Sequence, residues 1–271
     1  MMRADAQPTS DDWCLECRDL EVRRGGRRIV AGVSLRLAAG DCVSIVGPNG
    51  SGKTTLMLAL LGLLKPRARF VRFNGWDWQG LSARERGRLV AYVPQVLGAA
   101  PAYRVAEIVA GGRFPHVSSL GGLKSTDHEI VQSSLGRCGL TALADRRFDT
   151  LSGGERQKTL IAAAMAQDPR LLFLDEPNTA LDPAYQVELV HILREWNEAG
   201  RGLLLISHDL HLPAVLGGDV VALRDGAVAT KGPASEVLQP ETLSNVYGTP
   251  FGTATTSNGE RIVLPLWSRD E

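Results

Sequence analysis

The run "GPNGSGKTT", Gly47 to Thr55, constrains this chain more than any other stretch. It follows "CVSIVG", an apolar β-branched run that reads as a buried strand. It precedes "TTLMLALLGLL", which reads as a helix from about Thr54 to Leu64, stopped before Pro66. Strand, glycine-rich turn and helix in that order fit G-x-x-x-x-G-K-[ST]. Gly47, Gly50 and Gly52 can take backbone angles that point successive N–H groups inward, and the helix start adds partial positive charge. Such a loop suits phosphate oxygens, with Pro48, Asn49, Ser51 and Thr55 completing it. Lys53 is then expected at the β- and γ-phosphates and the Thr54 hydroxyl at Mg²⁺.

Three other strand ends carry matching chemistry. "LLFLDEP" is an apolar strand that ends in two carboxylates. Asp175 is placed to hold Mg²⁺ through water, and Glu176 to polarise an attacking water as general base. Gln95 follows "AYVP" and His208 follows "LLLIS". Ligands of open α/β sheets bind beyond the carboxyl ends of strands, so both residues are expected near the γ-phosphate, with Gln95 also a Mg²⁺ contact. His211 forms H-x-x-H with His208, but no further metal ligands accompany it, and it reads as an exposed helical residue.

Composition excludes several classes. The chain has 271 residues, 44% hydrophobic and 22% charged, with formal net charge zero. A sizeable core can be buried, and neither a nucleic-acid-coating surface nor a polybasic anchor is indicated. Four cysteines without a framework pattern suggest a reducing compartment. Cys14 and Cys17 form C-x-x-C, either half a zinc site or part of a plain first strand. The strand is favoured, since residues three apart would face opposite ways and no second ligand pair follows. No signal peptide is visible, and the apolar runs fall short of the roughly 20 residues that span a bilayer.

Along the chain, strands alternate with helices. "RFVRFNGWDW" carries an Asn74-Gly75 hairpin turn, "VVALRDGAVATKG" turns at Asp225-Gly226, and a last hairpin is expected around Asn258-Gly259. From about Gln95 to Thr150 the pattern is helical, in "RVAEIVAGGR" and "TDHEIVQSSLGRCGL". Helices are also expected from Gly153 to about Gln167, over "PAYQVELVHILREWNEAG" and near "PETLSNVYG". The organisation expected is a flexible tail over 1–12, a core over 13–94 and 151–248 interrupted by a helical subdomain over 95–150, and a hairpin and tail over 249–271.

One motif resists this single-site reading. "DTLSGGERQ", Asp149 to Gln157, sets a serine and two glycines at a helix start, as though for a second phosphate grip. The order Gly47–Thr54, Gln95, "LSGGE" at Leu151–Glu155, "LLFLDEP", "ALD" at Ala180–Asp182 and His208 resembles the ATP-binding cassette of ABC transporters, from about residue 14 to 250. The resemblance implies an α/β fold: a P-loop NTPase (RecA-like) core with an inserted helical subdomain and an N-terminal antiparallel β region. It implies ATP and Mg²⁺ as cofactors. It also implies a head-to-tail homodimer in which Ser152, Gly153, Gly154 and Glu155 contact the partner's nucleotide and Asp182 lies at the interface. The family often has an aromatic residue stacking on adenine where this chain has Arg24, whose guanidinium can also stack on a flat ring.

"GGRFPH" at Gly111–His116, and the segments after "LSGGE" and "SHDL", are similar to importers of iron–siderophore, haem and cobalamin. His211, Pro213 and Asn178 depart from that group's usual residues. The implied function is an ATPase subunit on the cytoplasmic side of the inner membrane. Its partners would be permease subunits, held by part of Val96–Leu120, and indirectly a substrate-binding protein, with no nucleic acid. The alternatives are another small solute, an exporter, or a cassette ATPase acting on nucleic acid or ribosomes. For the last of these, the chain shows none of the coiled coils, zinc inserts or tandem cassettes that such relatives carry.

Overall fold

Alternating apolar residues build the first strand of the computed structural model. β1 (Cys14–Arg24) buries Leu15, Cys17, Leu20 and Val22, and the odd step from Cys17 to Leu20 is absorbed by an irregularity at Asp19, where φ is 54°. The extra residue returns Leu20 and Val22 to the core face. The chain turns at Gly25-Gly26 into β2 (Arg27–Ala38), antiparallel to β1. β3 (Cys42–Val46) is buried at every position. α1 (Lys53–Leu60) ends earlier than its apolar run, because Gly62 at φ 73° leaves the helix.

β4 (Phe70–Phe73) and β5 (Trp76–Asp77) pair across Asn74-Gly75, both at positive φ, as a two-residue hairpin requires. α2 (Ala83–Leu89) buries no side chain and is fixed at its start by a Ser82–Glu85 capping box. β6 (Val90–Val93), α3 (Val105–Gly111), α4 (Ser125–Arg137), α5 (Gly153–Ala166), β7 (Leu171–Asp175), α6 (Pro183–Glu198) and β8 (Gly202–Ile206) follow. The chain continues through α7 (His211–Leu216), the hairpin of β9 (Asp219–Arg224) and β10 (Ala227–Pro233) at Asp225-Gly226, and α8 (Ala234–Val237). It closes with α9 (Pro240–Tyr247) and the antiparallel pair β11 (Phe251–Thr255) and β12 (Arg261–Pro265).

The structure describes residues 13–95, 102–118, 121–179, 181–257, 259 and 261–266. The 1–12 tail, Val96 and Leu120 at the ends of the stretch expected to hold the permease, Ala180 of "ALD" and Asn258 of the last turn lie outside them.

Two compact units result: residues to Gly80 with those from Ile206 onward, and Leu81–Leu205. In the first, a sheet of order β2-β1-β4-β5 carries a stacked Trp13–Phe73 pair, with centroids 6.0 Å apart, and Trp78 tilted against Phe73. β3 lies parallel to β9, and β9 antiparallel to β10. Val46, Val220, Ala222, Val237, Leu243 and Val246 form a core beneath them. In the second unit β8, β7 and β6 lie side by side, with β6 parallel to β7 in the register Val90↔Leu171 to Val93↔Leu174. Parallel strands buried on both faces explain why these runs are continuously apolar rather than alternating. Among the described residues from 102 to 150 there is no strand, only a bridge between Arg104 and Arg147.

All four thiols are free. Cys17, on β1, is pushed up to about 11 by burial, and Cys42 and Cys138 to about 12. No described helix is long and apolar enough to cross a membrane.

Candidate active site

The phosphate loop is built by two close backbone approaches. β3 is followed by Gly47 at φ 141°, where a Cβ would fall 2.1 Å from the Leu223 carbonyl oxygen of β9. Gly52, at φ 97°, precedes α1, and a Cβ there would fall 2.6 Å from the Ile29 carbonyl oxygen of β2. Only glycine fits either place. Between them Ser51 N–H closes a turn on Pro48 O at 3.2 Å, and Gly226 N–H donates to Ser51 O at 3.2 Å. Asn49, Gly50 and Thr54 are exposed, Pro48 and Thr55 half-buried.

Lys53 is the charge at the centre of this loop. Its side chain is buried, and Nζ donates to Gly47 O at 2.8 Å and Pro48 O at 2.9 Å. An ammonium folded onto carbonyls of its own loop is a cation held where an anion would enter. No side chain caps the start of α1, and Ser51 Oγ is buried with no hydrogen-bond partner among the described residues. Positively polarised donors, a buried cation and an orphaned hydroxyl fit a bound polyphosphate. Tyr247, not anticipated from sequence, accepts the Gly47 N–H on its hydroxyl at 3.0 Å, and its phenol is raised by burial. Arg24 is exposed at the end of β1, opposite Arg27 across the Gly25-Gly26 turn. His208 is exposed just beyond β8, where Ser207 N–H donates to Ile45 O at 3.3 Å. His211 opens α7 and is exposed.

In the second unit the two expected carboxylates end a strand that is buried throughout. Glu176 sits at φ 51°, in the left-handed region that costs a non-glycine residue about 1–3 kcal/mol. Its carboxylate accepts from the Gln95 amide, and from Thr179 Oγ1 at 3.3 Å. Two expected site residues, eighty-one positions apart, thus meet directly. Tyr92 Oη donates to Asp175 Oδ2 at 3.5 Å, and burial first, then the Asp175 charge, pushes its phenol up to about 12. Tyr92 was hidden in sequence as an ordinary strand residue.

The "LSGGE" stretch is an ordinary, well-capped helix start. Ser152 Oγ accepts from Glu155 N–H at 3.3 Å, and Glu155 returns the bond to Ser152 N–H at 2.8 Å. These bonds hold the Glu155 carboxyl below its usual range. A box of this kind is worth about 1 kcal/mol. Ser152 and Gly153 remain exposed, whereas Gly154 is buried against the Tyr185 ring, and a Cβ would fall 2.9 Å from it. The ring is sandwiched further by Lys158 Nζ, 4.2 Å from its centroid. Asp182 caps α6 by accepting from Tyr185 N–H at 3.0 Å. Tyr185 therefore links the Asp182 turn to the "LSGGE" turn, a tie no local motif announces.

The family described as ABC transporter matches residues 30–179, more than half of the chain. The chain belongs to the ABC transporter family. It is an ATPase cassette, with the P-loop NTPase fold of that family. It is 36% identical over 234 residues to the iron(3+)-hydroxamate import ATP-binding protein FhuC of Bacillus subtilis, covering 86% of this chain and 87% of that protein. It is 38% identical over 243 residues to the hemin import ATP-binding protein HmuV of Bordetella pertussis, covering 86% of this cassette and 92% of HmuV. The cobalamin import ATP-binding protein BtuD of Halobacterium salinarum is 35% identical over 257 residues, which are 94% of this chain but only 64% of that longer protein. Among solved structures, an inward-facing ABC transporter of metal-chelate type superposes with a TM-score of 0.81 at 26% identity, covering 94% of this cassette and 98% of the matched chain.

Proposed function

We propose that this cassette is the ATP-hydrolysing subunit of a bacterial importer for an iron chelate, haem or cobalamin. It works on the cytoplasmic side of the membrane as a head-to-tail homodimer beneath a permease, which a substrate-binding protein supplies. The names of the iron-hydroxamate, haem and cobalamin relatives support this choice of cargo class. The exposed rings of Tyr103 and Phe114, 62% and 78% accessible, support a docking face for the permease in the stretch between residues 96 and 120.

In this reading Gly47–Thr55 grips the phosphates, and Lys53 exchanges its two loop carbonyls for phosphate oxygens. Arg24 covers the base. Ser152, Gly153, Gly154 and Glu155 contact the nucleotide of the partner copy, and Asp182 lies at the interface. Thr54 hydroxyl, Gln95 amide oxygen and Asp175 carboxylate are hard oxygen donors of the kind Mg²⁺ prefers. Mg²⁺ when bound neutralises phosphate charge. Glu176 takes the proton of the attacking water, Gln95 orients that carboxylate, and His208 faces the γ-phosphate.

The observation that carries the reading is Glu176 itself: a buried carboxylate at the end of a buried strand, in a strained backbone conformation, aimed by Gln95 and Thr179. Asp19, Asp168 and Asp225 share that conformation, which short Asp side chains tolerate, but Glu176 is the glutamate held there among the described residues, and strain kept at such a residue is a mark of a functional position. Glu176→Gln should still bind ATP and dimerise while turnover falls about 10²–10⁴-fold. Steady-state ATPase assays with parallel nucleotide titration test this, and full turnover by the variant would remove Glu176 from the base role.

A further inference from the structure

The segment Gly111–His116 is held by bonds that the ATPase reading does not use. α5 ends at Ala166, and the last carbonyls of any helix lack partners inside it. Here Ala166 O accepts from the Arg113 guanidinium at 2.8 Å, and Gln167 O from His116 Nε2–H at 2.8 Å. Gly112 presses on the same turn, since a Cβ there would fall 2.1 Å from Ala163 O. Arg113 is buried and also pairs through Nε with the buried Asp127 of α4 at 2.8 Å. Pro115 O accepts from both Arg84 and Arg88 of α2, at 3.0 and 2.9 Å. The side chain of Gln167 donates to Val90 O, the first residue of β6, at 2.7 Å.

The segment thus grips the base of two elements whose far ends carry site residues. α5 begins beside Ser152, and β6 runs toward Gln95. A helix of 14 residues is about 21 Å of stiff rod, so its attitude at one end fixes its position at the other. Phe114, the most exposed large apolar side chain among the described residues, stands between the two clamping residues.

We propose that Arg113 and His116 are positioning residues which, by clamping the C-terminal carbonyls of α5, aim the Ser152–Glu155 end of that helix at the nucleotide of a second copy of this chain. The inference rests on the reading that two copies enclose ATP. It adds that the Phe114 segment and the Ser152 turn belong to one hydrogen-bonded body, so displacement of the first is passed to the second. Were the role of these residues purely structural, their loss would lower stability without selectively weakening the assembled state.

The test uses the full-length Glu176→Gln chain with MgATP, its monomer–dimer equilibrium read by sedimentation. His116→Leu removes the donor to Gln167 O. Arg113→Lys keeps a charge for Asp127 but replaces the fork that holds Asp127 and Ala166 O at once with a single ammonium. Each should weaken ATP-dependent dimerisation at least about fivefold. Affinity of the monomer for a fluorescent ATP analogue should stay within about twofold. His116→Gln, which restores an N–H donor, should recover dimerisation. The proposal is overturned if the dimer constant is unchanged, or if it weakens only in step with the melting midpoint and is not rescued by His116→Gln. If the Glu176→Gln chain with Arg113 and His116 intact stays monomeric, the two-copy reading falls first and this inference with it.

Discussion

Gly47–Thr55 and Leu151–Glu155 are both glycine-rich turns into a helix, yet they are built on opposite plans. The first cannot exist without glycine: Gly47 and Gly52 lie at positive φ against main-chain oxygens, no side chain caps α1, and a buried ammonium waits on loop carbonyls. The second has no residue at positive φ, satisfies its own helix start with a capping box, and leaves Ser152 on the surface. A loop left electrostatically incomplete is a receptor for an anion. In the function proposed here, a turn complete in itself, with an exposed hydroxyl at a helix start, would be a surface offered to an anion held by another copy. Under that proposal, the contrast would account for one chain carrying two phosphate-type turns without carrying two sites.

The sharpest way to break the contrast is a methyl group in each turn. Gly47→Ala drives a Cβ into the Leu223 carbonyl, a main-chain atom that cannot swing aside. It should cost about 3 kcal/mol or more of stability and over about 100-fold in nucleotide affinity, read by denaturant unfolding and ATP titration. Gly154→Ala meets the edge of the Tyr185 ring, which can yield. It should cost only about 1–2 kcal/mol and leave nucleotide affinity of the lone chain intact. Pairing it with Tyr185→Leu should return part of that loss in a double-mutant cycle. Equal damage to nucleotide binding by both methyl groups would erase the distinction drawn between the turns.

Much of the fold was legible because its signals are local. The glycine spacing at Gly47–Gly52, the Asn74-Gly75 and Asp225-Gly226 turns, and the continuous apolar runs of β3, β7 and β8 each state their own geometry within a few residues. α2 was not legible: "ARERGRL" buries nothing, so it has no apolar period, and only Ser82 and Glu85 mark its start. The supporting residues of the candidate site were hidden for a different reason. Tyr247 reaches Gly47 across 200 positions, and Tyr92 reaches Asp175 across 83. Tyr185 under Gly154, and Arg113 and His116 on α5, are likewise set by packing, which no spacing rule encodes.

The smallest expected effect lies in the clamp. Burial first of all lowers the His116 imidazole below its usual value, against the bond to Gln167 O, with Arg113, Arg88 and Asp168 as the charged groups facing it. The folded chain therefore binds fewer protons there than the unfolded chain. The corresponding stability is present above the unfolded value near about 6.5 and is lost as pH falls through the lower folded value. Denaturant midpoints between neutral and mildly acid pH should decline less steeply in His116→Gln. An unchanged slope would mean that His116 is not neutral in the folded clamp.

The most direct measurement is turnover per chain as the protein is diluted, with the mass of the active species followed in parallel. Each copy is 29.2 kDa. If ATP is enclosed by the loop of one copy and the Ser152 turn of another, turnover should track the fraction of doubled mass and fade toward zero when copies are kept apart. Constant turnover in a species of single mass would contradict the account.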